Sequence, residues 1–350
     1  MFSNYAGLQI LNFPLNIIVL ISISYGFINL CNYIVSDKKI FFKSNINYFF
    51  PIFFFILFLS LINITLLFSY NFTIFLIFSF GAICLLFLFK FRITKINKIN
   101  KKNYFQIIII SFLVIYFFLS LLPISDSDSL SYHSAYGANI IKNQGLGWLR
   151  DIHLVHPDFL VSGLGEIINF VGLVFMIDNF GSFFNFMTLI FVVKIFYILN
   201  AKKKINYFII LTTISSPILL PVIFSQKIYL LPSLILAFLM FLIVEKKKLN
   251  DFDFLMIYSM LIFCVSVKIS FLIPVTLLIL FFLYKSLIKK KLKNHLLFLI
   301  LSFFFIFFPV LAKNIIYHGD VLPPFSGYIL GTNDLYLNTA VKFFQNYDLK

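Results

Sequence analysis

The segment YFQIIIISFLVIYFFLSLLPISDSDSLSYH, residues 104–133, holds the pattern that decides the fold. Its first part, Tyr104 to Leu122, is an apolar run of the length that spans a bilayer as an α-helix, about 20 residues. Its second part, Pro123 to His133, places two carboxylates, a phenol and an imidazole at the end of that run. Carboxylates at a membrane boundary are costly to desolvate, so this stretch is a candidate functional site. The alternative is a solvated surface loop that serves structure only.

The composition extends this pattern to the whole chain. Of 350 residues, 61% are hydrophobic, 20% are aromatic and 12% are charged, and the mean hydropathy is +1.00. These values exceed what a soluble core requires, and long apolar runs recur along the chain. Strands of a membrane barrel would instead appear as short alternating segments. The sequence therefore predicts an all-α fold, a polytopic membrane helix bundle.

Apolar runs define about ten candidate transmembrane helices. They are Phe13 to Val35, Tyr48 to Phe68, Phe72 to Phe89, Tyr104 to Leu122, Ser182 to Leu199, Ile205 to Phe224, Ile228 to Val244, Phe254 to Val267, Ile269 to Leu283 and His295 to Ala312. The three cysteines all lie within apolar runs without metal-ligand spacing, so they are interpreted as small core residues.

The basic residues predict the topology. The net charge of +15 comes mainly from short lysine clusters between apolar runs, which follow the positive-inside rule, so nucleic-acid binding is rejected. An outer N-terminus places every cluster on the cytoplasmic side if the segment Leu164 to Ile177 does not cross. We therefore expect that segment, with Glu166 and Asp178 at its ends, to be a re-entrant or interfacial helix of a multi-pass cytoplasmic (inner) membrane protein. The clusters are Lys38 to Lys43, Lys90 to Lys102, Lys202 to Lys204, Lys246 to Lys248 and Lys285 to Lys293.

This topology leaves two regions on the outer side, a loop over 123–181 and a C-terminal segment over 313–350. Nine of the thirteen acidic residues fall there: Asp126, Asp128, Asp151, Asp158, Glu166, Asp178, Asp320, Asp334 and Asp348.

Three lysines are expected at the outer ends of spans: Lys227, Lys268 and Lys313. Cations at that depth can bind a phosphate or diphosphate headgroup, and the alternative is snorkelling to ordinary lipid.

Several function classes lack their sequence signals. No phosphate-cradling glycine loop, no Gly-x-Ser-x-Gly elbow and no His-Glu-x-x-His motif occurs, so an ATP-driven role is unsupported. Charged residues do not recur in the middle of several spans, which weighs against a transporter. His133 is a single histidine beside the acidic stretch, and we interpret it as a hydrogen-bonding interface residue rather than as a catalyst.

Two segments resemble a known family. The pattern Asp126-Ser-Asp128-Ser-Leu-Ser-Tyr132-His133, just outside a span, resembles the first outer loop of GT-C superfamily membrane glycosyltransferases, which include protein mannosyltransferases and lipid A aminoarabinose transferases. PVLAKNIIYHGDVLPPF, residues 309–325, is similar to the P-W-x-x-R-N-x-x-x-T-G-N-P-x-x-P-F segment of bacterial members. Lys313 replaces the usual Arg, Asp320 the usual Asn and Val310 the usual Trp.

The resemblance covers residues 104–350, so residues 1–103 are additional N-terminal transmembrane helices. Family members continue through more spans, which implies a divergent or truncated member here. The resemblance further implies sugar transfer from a polyprenyl-phosphate-linked sugar in the membrane lipid to a glycan, lipid or protein acceptor on the outer face of the cytoplasmic membrane. The alternatives are a polyprenyl-linked glycan flippase or transporter, and a non-catalytic membrane protein.

The resemblance also assigns roles to residues. Asp128 matches the loop acid that acts as general base, and Asp126 is the second candidate, as a metal ligand or acceptor of a substrate hydroxyl. A divalent metal is therefore an optional cofactor. Cations stabilise the phosphate that leaves. The predicted substrate-binding residues are Tyr132, His133, Trp148, Lys227, Lys268 and Lys313.

Overall fold

The computed structural model describes residues 18–19, 21–34, 46–90, 104–122, 129–150, 163–199, 203–244, 249–288, 290–318 and 321. Within these ranges every regular element is helical and no strand occurs, as the sequence predicts. The predicted acids Asp126 and Asp128 lie outside the described residues.

The α-helices are numbered in chain order. They are α1 (21–34), α2 (Phe50–Phe68), α3 (Tyr70–Lys90), α4 (Tyr104–Ser120), α5 (Ala135–Lys142), α6 (Leu164–Val174), α7 (Phe180–Leu199), α8 (Lys203–Ile214), α9 (Leu219–Phe224), α10 (Leu230–Val244), α11 (Asp251–Val267), α12 (Leu272–Ile288), α13 (Leu292–Ser302) and α14 (Phe308–His318).

Four helical stretches in the described part of the chain are long and apolar enough to cross a membrane: Phe50–Phe68, Tyr70–Leu88, Ile269–Ile288 and Leu292–Tyr317. The last of these joins α13 and α14 through a π-helical turn, Phe303–Phe307. Further apolar helices are shorter than these four. The structure thus confirms a helical protein with segments able to span a membrane, and the count of about ten spans stays a prediction.

Two predicted boundaries have different outcomes. The apolar run from Ile205 to Phe224 is not one continuous helix, because α8 ends at Ile214 and α9 begins at Leu219. Pro217 lies in the gap, where it lacks a backbone N–H and disfavours helical geometry in the residue before it. The predicted boundary at Lys268 is confirmed, since this residue has an extended backbone with φ −155° and ψ 127° between two helices.

The short helix α6 lies inside the protein. Its 11 residues give a length of about 16 Å at about 1.5 Å per residue, which is shorter than a hydrocarbon core of about 30 Å. Every residue from Leu164 to Gly172 is buried. The segment therefore contains a short buried helix, and its re-entrant or interfacial position relative to a membrane stays a prediction.

Helix α11 is the central helix of the packing. It contacts α2, α6, α10, α12 and α13, and it is buried from Met256 to Val267. Two polar pairs join it to α13: Ser259 and Ser302 have hydroxyl oxygens 3.0 Å apart, and the Tyr258 hydroxyl lies 3.0 Å from His295 Nδ1. Buried hydrogen bonds between apolar helices are a common means of association where both helices face lipid.

Candidate functional site

A buried carboxylate organises the polar residues at one end of the helix bundle. Glu166 is the third residue of α6 and is only 3% exposed. One carboxylate oxygen accepts the backbone N–H of Gly163 at 2.7 Å, as in the reciprocal half of a capping box. The other lies 3.2 Å from His133 Nδ1. The N-terminus of α6 is therefore tied to the π-helical turn Ser129–Ser134.

A buried lysine completes this group. Lys313 in α14 is 2% exposed, and its Nζ lies 5.5 Å from the ring centroid of Tyr136. Burying an ammonium is costly unless an opposite charge and polar contacts compensate. Glu166, His133, Lys313 and Tyr136 are called the Glu166 cluster below.

The electrostatics of the Glu166 cluster keep the acid ionised. Burial by itself raises the pKa of the Glu166 carboxyl. The hydrogen bond and charge of His133, with the Gly163 N–H, outweigh that effect and hold the pKa below its usual value. The cluster therefore contains a carboxylate at neutral pH.

This shift predicts a pH dependence of stability. A carboxyl whose pKa is lower in the folded state contributes stability above its unfolded value, about 4.3, and loses it as the pH falls through the folded value. We expect Glu166→Gln to be much less stable than wild type at pH 6 and the gap in Tm to narrow toward pH 3. Thermal unfolding in detergent measures both. An equal gap at both pH values would contradict the prediction.

Asn169 connects the Glu166 cluster to a second turn. It follows Glu166 by about one helical turn, and its Nδ2 lies 3.5 Å from the His133 carbonyl and 3.1 Å from the Gln226 carbonyl. Asn169 is 2% exposed. Because the amide donates to both carbonyls, the π-helical turn and the turn between α9 and α10 are held against the same face of α6.

Gln226 is the centre of that second turn. Its backbone N–H donates to Ser129 Oγ at 3.0 Å, and its side-chain oxygen accepts the Gly181 N–H at 2.9 Å. Its side-chain Nε2 donates to Ser182 Oγ at 2.9 Å. These bonds join α7, the π-helical turn and the residue immediately before Lys227.

The two remaining predicted lysines differ in exposure. Lys227 is partly buried, and its carbonyl accepts from Asn185 Nδ2 at 2.9 Å. Lys268 is exposed; its Nζ donates to the Tyr229 hydroxyl at 2.9 Å and lies 4.0 Å from the centroid of that ring. Because the Tyr229 N–H donates to the Lys227 carbonyl at 3.0 Å, the backbone of Lys227 and the ammonium of Lys268 lie in one region of the fold.

The structure thus brings several predicted site residues together. His133 contacts Glu166, while Lys313 and Trp148 both lie at Tyr136, with the Lys313 Nζ 5.5 Å and the Trp148 ring 5.8 Å from the Tyr136 ring centroid. The side chain of Tyr132 lies outside the described residues, as do Asp126 and Asp128. Their predicted roles stay predictions.

The helix around Tyr132 also differs from expectation. The four-residue spacing of Asp128, Tyr132 and Tyr136 predicts one face of an α-helix. Ser129–Ser134 forms a π-helical turn instead, and α-helical spacing begins at Ala135. In a π-helical turn the hydrogen bonds run from residue i to i+5, so the predicted spacing does not apply there.

Sequence reasoning missed three residues of this region. Glu166 was expected only to mark a helix end, whereas it is a buried partner of the predicted site residue His133. A signal was available, since Glu166 and Asn169 are polar residues three apart in an apolar segment and so share a helix face. Gln226 carries no such signal, because it is one uncharged residue in a short turn.

Within the described ranges, no three His, Cys, Asp or Glu side chains come together as metal ligands. Asp126, for which one of the two predicted roles is that of a metal ligand, lies outside the described residues. No family model, curated protein or solved structure matches this chain.

Proposed function

We propose that this protein is a GT-C-like glycosyltransferase that uses a polyprenyl-phosphate-linked sugar at the outer face of the cytoplasmic membrane. One observation carries the proposal. The two segments that resemble the family are far apart in sequence, yet the buried Lys313 of the second has its Nζ 5.5 Å from the ring centroid of Tyr136, three residues after His133 of the first. The proposal includes a transmembrane arrangement of about ten spans.

The proposed reaction is a direct displacement. Asp128 takes the proton of the acceptor hydroxyl while its oxygen attacks the anomeric carbon. The bond between that carbon and the phosphate oxygen of the carrier breaks, and the polyprenyl phosphate leaves with the bonding electron pair. Attack opposite the leaving group inverts the anomeric configuration.

The cations are proposed to act on the leaving phosphate. Lys268 is exposed and donates to the hydroxyl of Tyr229, which follows Lys227 by two residues. A phosphate that gains negative charge in the transition state is stabilised by ammonium groups already held in place. Lys313 is buried in the Glu166 cluster, so we assign it and His133 to the support of the site. Trp148 is half-buried and offers an amphipathic ring for the sugar or lipid interface, with the buried Tyr136 packed against it.

Reconstitution tests the proposal. Purified protein in liposomes is supplied with a polyprenyl-phosphate-linked radiolabelled hexose and with a lipid and glycan extract of the same membrane. We expect the label to move from the carrier to the extract. A transporter would move the labelled carrier between leaflets without transfer, and a non-catalytic protein would do neither. Either result would overturn the proposal.

A lysine substitution tests the phosphate assignment. Lys268→Met is expected to lower kcat/KM for the donor by about 10- to 100-fold, because a charge-assisted hydrogen bond contributes about 1.5–3 kcal/mol. Lys291→Met is the matched control, since its ammonium is also exposed but pairs with Asp251 at 3.0 Å. Equal donor kinetics for the two variants would contradict a role for Lys268.

A further inference from the structure

Tyr229 holds the ammonium of Lys268 through two contacts. The Lys268 Nζ donates to the Tyr229 hydroxyl at 2.9 Å and lies 4.0 Å from the centroid of its ring. A hydrogen bond and a cation–π attraction therefore act on the same ammonium. A lysine that only snorkels to ordinary lipid has no such fixed partner, so this arrangement favours a binding site.

The pair of side chains keeps hydrogen-bond donors for a ligand. An ammonium has three N–H donors, and a phenol that accepts a hydrogen bond still has its own proton to donate. In the described part of the chain no carboxylate pairs with Lys268 and no acceptor takes the Tyr229 proton. Lys291, by contrast, pairs with Asp251 at 3.0 Å. Lys268 and Tyr229 therefore offer up to three donors beside a positive charge that these acidic residues leave unneutralised.

The backbone at both residues is fixed by hydrogen bonds. The Tyr229 N–H donates to the Lys227 carbonyl at 3.0 Å, and the Tyr229 carbonyl accepts from the Ser233 hydroxyl at 2.9 Å. The Lys268 N–H donates to the Cys264 carbonyl at 3.2 Å. Donors that are already held in place lose little freedom when a ligand binds.

A glycine in α6 lets the two chain segments approach each other. A Cβ at Gly165 would lie 3.3 Å from Val267 Cγ1 and 3.8 Å from Ile228 Cβ. Ile228 and Val267 are buried, and each immediately precedes one residue of the pair, Tyr229 or Lys268. Their packing beside the same glycine brings the phenol and the ammonium together.

We propose that Tyr229 and Lys268 form a phosphate-binding dyad, in which the ammonium supplies the positive charge and two hydrogen bonds and the phenol donates a third. The ligand is a phosphate group, because an anion with several acceptor oxygens matches one cation with up to three donors. The part of Tyr229 in sugar transfer, as a further substrate-binding residue, rests on the proposed function. Phosphate binding itself can be measured without transfer.

Calorimetric titration of the full chain in phosphatidylcholine nanodiscs tests the dyad, with farnesyl phosphate as the probe and the heats of empty nanodiscs subtracted. Wild type should bind farnesyl phosphate more tightly than farnesol, which lacks the phosphate. Lys268→Met is expected to weaken binding by about 10- to 100-fold and Tyr229→Phe by about tenfold, because each removes a hydrogen bond to a charged group. Tyr229→Phe keeps the ring and so isolates the hydroxyl. Equal affinities for farnesyl phosphate and farnesol, or wild-type affinity in Tyr229→Phe, would overturn the proposal.

Lys285 provides the matched control. Its Nζ lies 4.5 Å from the centroid of Phe281, a ring without a hydroxyl. Lys285→Met removes a cation over an aromatic ring from the same helix, α12, and should leave the affinity for farnesyl phosphate unchanged. An equal loss in Lys285→Met and Lys268→Met would show that the positive charge acts without a specific site and would overturn the dyad.

Inorganic phosphate separates two sources of the ligand. If it binds as tightly as farnesyl phosphate, with the same losses in Tyr229→Phe and Lys268→Met, the dyad binds the free anion. If farnesyl phosphate binds at least about tenfold more tightly, the dyad binds a lipid headgroup. Losses in both variants support the phosphate-binding dyad in either case.

The transfer assay separates this inference from the proposed function. In protein that transfers sugar, Tyr229→Phe is expected to raise KM for the donor by about tenfold with little change in kcat, as for a group that binds the donor before and during the reaction. A wild type that binds farnesyl phosphate with the expected losses but transfers no sugar refutes the proposed function alone. Wild-type farnesyl phosphate affinity in Tyr229→Phe overturns the dyad even in protein that transfers sugar.

Discussion

Asp128→Asn is expected to lower kcat for sugar transfer by about 10²- to 10⁴-fold, the range typical for loss of a general acid–base group. An amide cannot take the proton of the acceptor hydroxyl, whereas its size and hydrogen-bonding capacity are close to those of the carboxylate. KM for the donor should change little, because the phosphate is assigned to lysines. Single-turnover transfer in liposomes measures the chemical step.

Substitutions of two further acidic residues provide comparisons for this prediction. Asp126→Asn should have a smaller effect, as expected for a residue that binds a metal or a substrate hydroxyl. Asp178→Asn is the control, since it removes a carboxylate from the same predicted outer loop at the end distant in sequence. Wild-type kcat for both Asp128→Asn and Asp126→Asn would remove the catalytic assignment.

The largest expected loss of stability comes from Gly163→Ala. A Cβ at Gly163 would overlap the backbone carbonyl oxygen of Ser266 at the end of α11. Backbone atoms cannot move aside as a flexible side chain does, so we expect a loss of about 3 kcal/mol in the free energy of unfolding, at the upper end for overpacked sites. The φ of −122° at Gly163 is accessible to alanine, so the expected loss comes from the close approach and not from backbone strain.

Gly147→Ala is the matched control for this glycine. A Cβ at Gly147 meets no atom within 4 Å, so the substitution should be neutral or slightly stabilising through the unfolded chain. Thermal unfolding of both variants in detergent measures the difference. Equal Tm values would show that α6 and α11 do not approach as closely as the structure has them. Because Gly163 also donates to Glu166, the same variant is expected to perturb the Glu166 cluster.

The sequence predicts the helical class and many of the helix limits because both depend on local hydropathy. Continuous apolar runs require backbone hydrogen bonds to be satisfied within each segment, and helices do so. Helix α2 and the boundary at Lys268 follow this rule. Pro217 also carries a local signal, the missing N–H, which the hydropathy of Ile205 to Phe224 outweighed in the prediction.

The buried polar contacts of the site depend on tertiary structure, so the sequence predicts them less well than it predicts the helices. Lys313 was expected to face phosphate because it ends an apolar run, whereas its burial depends on how α14 packs against α2 and the 3-10 helical turn Gly147–Arg150. The hydrogen bonds of Gln226 likewise join elements that are distant in sequence. Asp126 and Asp128 remain assigned by the family resemblance and by the chemistry of carboxylates.

The polar pairs between α11 and α13 determine how these helices are aligned. Sliding one apolar helix along another in lipid exchanges one set of leucine and phenylalanine contacts for an equivalent set, so packing alone discriminates weakly between alignments. The Ser259–Ser302 and Tyr258–His295 hydrogen bonds require matched positions along both helices. Substitutions of one apolar residue by another on this interface should therefore be tolerated. Inserting a single residue between His295 and Ser302 would instead shift these two residues relative to each other along α13, so that only one of the two hydrogen bonds could form.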